Sequence, residues 1–122
     1  MKVLLSIKPE FAEKIFNGTK KYEFRKSIFK NKNVDTIVVY VSSPLQSVIG
    51  EFKIAGILND DVDRIWEQTH DGSGITERFY RMYFARKTNA YAIKIGHVTR
   101  YKHRKRLSDY NVNFAPQSFV YL

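Results

Sequence analysis

Gly18-Thr19-Lys20-Lys21-Tyr22-Glu23-Phe24-Arg25 is the stretch on which the fold turns, because the hydrophobic period changes across it. Before it, Phe11, Ala12, Ile15 and Phe16 fall at helical spacing behind Pro9, which opens a helix where its missing N–H does no harm. Glu10 and Lys14 are spaced to pair at i,i+4 on that helix, and Asn17-Gly18 ends it with a residue able to take positive φ. Over residues 20–26 the period becomes two: Tyr22 and Phe24 point one way, Lys21, Glu23 and Arg25 the other. A glycine turn thus delivers a helix into a half-buried strand with a charged face. Glu23 and Arg25 share that face and can pair. Strict alternation puts Lys20 on the opposite face, so it joins them only if a bulge or the turn re-aims it. Such a trio can bind a phosphate or a base edge, or carry a lysine whose pKa Arg25 and Lys21 lower and Glu23 raises. The plainer alternative is a solvated charged strand face.

Working outward, residues 3–7 predict a short buried strand, and Asn31-Lys32-Asn33 a loop. Ile37 to Val41 is a continuous apolar run, the sign of a strand buried on both faces, and Ser42-Ser43-Pro44 breaks it. Val48 to Leu58 predicts another strand, with Gly50 and Gly56 as bulge or bend sites. Asp60 and Asp61 begin a short helix with a stripe of Val62, Ile65, Trp66 and Thr69. After a loop at 70–74, Ile75 to Arg86 predicts a second helix with Ile75, Phe79 and Met82 inward and Glu77 paired to Arg81. Tyr91, Ile93 and Ile95 alternate in a strand that runs into Arg100, Lys102, Arg104, Lys105 and Arg106, and Phe119 to Tyr121 form a last edge strand. The order β-α-β-β-β-α-α-β-β, without repeats or linkers, predicts one α+β domain over 1–122: a small mixed β-barrel with short helices covering its openings.

The composition narrows the function. With 122 residues, 43% apolar and 15% aromatic, the chain holds a core and is not a disordered tail. It has no cysteine, which excludes disulfides, thiolate metal sites and a cysteine nucleophile. Twenty-one Lys and Arg against 12 Asp and Glu leave +9, a balance that points to a polyanion such as nucleic acid. The apolar run after Lys2 ends at Lys8-Pro9, too short for a signal peptide, and no stretch spans a membrane, so a cytoplasmic protein without a membrane partner is expected. His70, His97 and His103 lack ligand partners at useful spacing, and no P-loop or G-x-G-x-x-G occurs, so no metal and no cofactor is expected.

"HVTRYKHRKR" at 97–106 would contact phosphates without reading sequence, or stand as a solvated arm. Trp66 either stacks on a base or packs a helix on the barrel, and Ser42 and Ser43 either line a ligand cleft or end a strand. A DNA-binding regulator fits the basicity but no helix-turn-helix signal is present.

Gly18, Lys20, Glu23 and Arg25 fit the G-x-K-x-x-E-x-R signature of the ASCH superfamily of PUA-like β-barrels, which this chain resembles. "LLSIKPEFAEKIFNG" looks like that family's first strand and helix, and "VYVSSPLQSVIGEFKI" is similar to its S-P…G-E-F segment. "GITERFYRMYF…AYAIKI" and the closing "PQSFVYL" also match the pattern of its small bacterial-type members, with 97–113 the least constrained. The resemblance implies an RNA-binding module, or a regulator of RNA metabolism or transcription, with RNA or a nucleotide-like ligand in a cleft lined by the signature residues Lys20, Glu23 and Arg25; Ser42 and Ser43 are further candidates for its lining, and a monomeric or weakly associating protein is expected. Arg100, Lys102, Arg104, Lys105 and Arg106 would add phosphate contacts. It also implies two enzymatic alternatives, a ribonuclease or a metal-independent amidohydrolase of N-acetylated cytidine, with Lys20, Glu23 and Asp71 as the catalytic set. Glu23 stands where that amidohydrolase branch has a threonine, and Asp71 is the nearest counterpart of its distal carboxylate.

Overall fold

A computed structural model describes all 122 residues. The apolar runs behave as their patterns dictate. β1 (Lys2–Ile7) and β3 (Thr36–Val41) pair in parallel in the interior of the sheet, and every residue of β3 is buried. Their alternate side chains feed two cores. Val3, Leu5, Ile7, Ile37, Val39 and Val41 point to the main one, which also takes Ala12 and Ile15 of α1 (Pro9–Phe16). Leu4, Val38 and Tyr40 point to the other face, where Tyr101, Leu107 and Tyr110 cover them. Burial on both faces is why this stretch shows no alternation of polarity.

Six strands form one sheet in the order β2-β5-β4-β3-β1-β6, with β2 (Tyr22–Arg25) and β6 (Phe119–Tyr121) as its edges. The element order is the predicted one, but the barrel does not close by strand pairing: the sheet curls into a half-barrel. Side chains stitch its seam instead. The Arg25 guanidinium donates to the Ser118 carbonyl (3.0 Å), and the Tyr121 hydroxyl accepts from the N–H groups of Lys30 (3.1 Å) and Asn31 (3.2 Å). β4 (Ser47–Asp61) and β5 (Asn89–Lys105) are long and antiparallel, with register shifts near Gly50 and Gly56. Gly50 pairs with Arg100 and Val48 with Lys105, so Ile49 alone opposes residues 101–104, and the basic segment is thrown out as a bulge. A Cβ on Gly50 would lie 2.3 Å from the Thr99 carbonyl and 2.6 Å from the Phe16 ring, so only glycine permits this approach.

α2 (Val62–Thr69) starts at Asp61, whose side chain accepts from the Asp63 N–H. With α3 (Glu77–Tyr83) it covers a third core, of Phe24, Ile65, Tyr80, Phe84, Ala90 and Ala92. α3 does not extend from Ile75 to Arg86, and its inward residue is Tyr80 rather than Met82, which is 68% exposed. The Thr76 cap, accepting from the Phe79 N–H, starts the helix late, and the Tyr80 hydroxyl donates to the Val62 carbonyl (2.7 Å) and fixes its phase. Glu77 and Arg81 do pair, and Arg81 also reaches Asp63. On α1, Lys14 does not pair with Glu10; its ammonium donates to the Gly74 carbonyl (3.0 Å). Trp66 takes the packing alternative, 4.7 Å from the Tyr80 ring. No helix is long and apolar enough to cross a membrane.

Candidate functional site

The seam between β2 and the end of β1 opens into a cavity of about 170 Å³, roofed by α1 and α3. Lys20, Glu23 and Arg25 all line it, with Phe11, Phe24, Phe79 and Tyr83 as aromatic walls.

Lys20 reaches the cleft because it is not part of the strand. β2 begins at Tyr22, and the two preceding residues spend their N–H groups elsewhere: Lys20 donates to the Lys14 carbonyl (2.9 Å) and Lys21 to the Gly72 carbonyl (2.7 Å). Alternation therefore does not govern Lys20, and the turn, with Gly18 at φ +87°, aims it inward. The residue is 2% exposed, and its ammonium donates to the Ser73 carbonyl (2.7 Å). It also sits over the rings of Phe24 (4.9 Å) and Phe11 (5.3 Å). Burial pushes its pKa down to about 8; Glu23 opposes the fall, and Lys14, rather than the expected Arg25 and Lys21, adds to it.

Glu23 is 6% exposed, with its carboxylate 3.4 Å from the Arg25 guanidinium. Arg25 is held from its other side by the Ser118 carbonyl, so one residue serves both seam and cleft. Tyr83 lies at the rim, where burial pushes its phenol pKa up and Arg25 pulls against that. The cleft thus offers a cation that can lose its proton, an acceptor, a planar donor and apolar walls.

Other sequence candidates lie elsewhere. Ser42 and Ser43 do not line the cavity: the Ser42 N–H donates to the Ile7 carbonyl (3.0 Å) and Ser43 is exposed, so they end β3. Asp71 is also outside it, its side chain 98% exposed and 3.2 Å from His70 Nδ1 in the 3-10 turn His70–Gly72. A turn that presents its carbonyls to Lys20 and Lys21 leaves that carboxylate facing solvent. Arg100 lies over the Phe16 ring (4.9 Å) and 3.9 Å from Glu13, and Lys105 lies over Tyr101 (5.0 Å). Lys102, Arg104 and Arg106 are exposed, so this basic bulge is a surface apart from the cleft.

Sequence reasoning missed Ser73 and Gly74, which contact Lys20, and gave Phe11 and Phe79 to the core. The one signal was the run Gly72-Ser73-Gly74, three small residues where another backbone can come close.

Comparison with known proteins bears on the fold and the family. The chain is 33% identical over 121 residues to the ATP synthase subunit alpha of Ureaplasma parvum, but spans only 15% of that subunit's length. It is 31% identical over 122 residues to the ASCH domain-containing ribonuclease of Zymomonas mobilis, covering 98% of this chain and 82% of that one. The crystal structure of ASCH from Zymomonas mobilis superposes with a TM-score of 0.90 at 30% identity, over 99% of this chain and 87% of that one. Residues 5–99 match the family model of the ASCH domain, and the chain belongs to that family.

Proposed function

We propose that the protein binds single-stranded RNA, seating one nucleotide in the cleft of Lys20, Glu23 and Arg25 and running the flanking phosphates toward the basic bulge. The observation that carries this is the meeting of a buried ammonium, a carboxylate and a guanidinium in one aromatic-walled cavity. Unstacked bases are recognised by this combination: a ring face for stacking and charged groups for the base edge or phosphate. The volume of about 170 Å³ lies below the roughly 300–1,000 Å³ of pockets that enclose drug-sized ligands, so it suits a single base, with sugar and phosphate at the mouth, rather than a folded element. Titration of a labelled 12-nucleotide RNA, read by anisotropy, tests it. Wild type should bind, and Lys20→Met and Phe79→Ala should each bind at least about fivefold more weakly; equal affinity of all three would refute the cleft as the site.

A second reading, cleavage of the bound strand, is favoured by the lysine titrating near 8 and by the relative named a ribonuclease. A neutral Lys20 amine would take the proton of the 2′-hydroxyl as it attacks the adjacent phosphorus, closing a 2′,3′-cyclic phosphate and expelling the 5′-oxygen, which takes a proton from water. Lys20→Arg should then keep binding and lose cleavage, because arginine does not release its proton near neutrality. Hydrolysis of N-acetylated cytidine has less support, since Asp71 is not in the cleft to handle protons.

A further inference from the structure

Residues 72–75 cross over Lys20 as a strap fastened at three successive carbonyls. Gly72 accepts from the Lys21 N–H (2.7 Å), Ser73 from the Lys20 ammonium (2.7 Å) and Gly74 from the Lys14 ammonium (3.0 Å). Ser73 is buried, and its hydroxyl donates back to the Ile75 carbonyl (3.0 Å). Gly74 has φ +70°, and a Cβ there would lie 2.7 Å from both Cβ and Cγ of Lys20 and 3.1 Å from its Cα. Those atoms are the root of the side chain, which cannot swing aside. Gly18 has a similar φ of +87°, yet a Cβ on it would meet nothing within 4 Å. Two glycines share one backbone demand, and only at 74 does the missing side chain make room for Lys20.

We propose that Gly74 is the positioning residue of the cleft: its bare Cα lets the strap close on the stem of Lys20 and hold the ammonium against the Ser73 carbonyl, between the Phe11 and Phe24 rings. The inference rests on Lys20 being the working group of the site, but its test needs no RNA. Asparagine tolerates positive φ and still carries a Cβ, so Gly74→Asn spares the backbone and adds only the clash. Gly18→Asn is the matched control. The charged and titratable groups around the ammonium, Lys8 before α1, Lys14 on α1, Glu23 and Arg25 on β2 and Tyr83 on α3, are unchanged in both variants.

The experiment is an NMR titration of the Lys20 Cε and Nζ resonances in labelled protein. Wild type and Gly18→Asn should titrate near 8, and Gly74→Asn should move a unit or more toward 10.5, at least a tenfold loss of neutral amine at pH 7. Gly74→Asn titrating with wild type would overturn the proposal. Should that variant not fold, Lys20→Met tests the same contact in reverse: amide exchange at Ser73, Gly74 and Ile75 should rise about tenfold, and unchanged exchange overturns it equally. The expected titrations in a protein that binds no RNA would refute the RNA reading and leave the positioning role standing.

Discussion

Lys20 is a cation kept where a cation is costly, and its pKa says in which direction. The free side chain titrates at 10.5 and the folded one at about 8. Between those values the unfolded chain holds a proton that native Lys20 has released, so raising the pH across that window favours folding. Below it the penalty is complete, roughly 3 kcal/mol at 1.36 kcal/mol per unit. Lys20→Met removes that penalty and forfeits the bond to the Ser73 carbonyl and the ring contacts. A net gain of about 1–2 kcal/mol at pH 7 is expected, as when buried charges give way to apolar side chains of similar volume. Urea denaturation at pH 7 and pH 10 checks it: the variant should be the more stable at pH 7 and lose that advantage by pH 10. A variant less stable than wild type at both would mean that the strap and ring contacts outweigh desolvation. Gaining stability while losing RNA affinity is the pattern expected of a functional group.

Among the elements, α3 separates what hydrophobic pattern can tell from what it cannot. Ile75, Phe79 and Met82 make as good a stripe on paper as Tyr80 and Phe84, because all five side chains are large and apolar. The Thr76 cap and the Tyr80 hydroxyl bond to Val62 decide between them, and neither is visible in a periodicity. Tyr80→Ala should therefore cost about 3–5 kcal/mol, and Met82→Ala no more than ~0.5 kcal/mol. Thermal or urea melts of the two variants measure this, and a larger loss for Met82→Ala would reverse the assignment of faces. Gly50→Ala should cost about 1–3 kcal/mol by pushing β4 from the Thr99 carbonyl. Its check is the amide exchange of the β4–β5 ladder, which should rise around Gly50 and Arg100. The strands were legible because β1 and β3 are apolar on both faces and β2 alternates. In the cleft, Glu23 and Arg25 followed from period two. The place of Lys20 did not, since it depends on carbonyls of residues 72–74, some fifty positions away, that no local pattern announces.

At the scale of the molecule, a chain of net charge +9 presents two surfaces, among its cations, that ought to act differently on a polyanion. The cleft buries its charges and pairs Glu23 with Arg25, so its share of RNA affinity should come from stacking and short contacts that salt screens weakly. The bulge at 101–104 and its neighbours carry exposed Lys and Arg, apart from the cavity, and such groups act by releasing counterions. For a single strand, the slope of log K against log salt is about −0.7 per phosphate neutralised. Replacing Arg100, Lys102, Arg104, Lys105 and Arg106 with Gln should flatten that slope by about 2 to 3.5, if three to five of them meet phosphates. Phe79→Ala should weaken binding by about 1–3 kcal/mol, the worth of one stacked base, and leave the slope as it was. Anisotropy titrations from 50 to 300 mM salt resolve both quantities for each protein. A flattened slope from the five Gln replacements alone would mark the bulge as a phosphate track serving a cleft that grips one nucleotide. An unchanged slope would make it a solvated arm and leave RNA binding to the cleft.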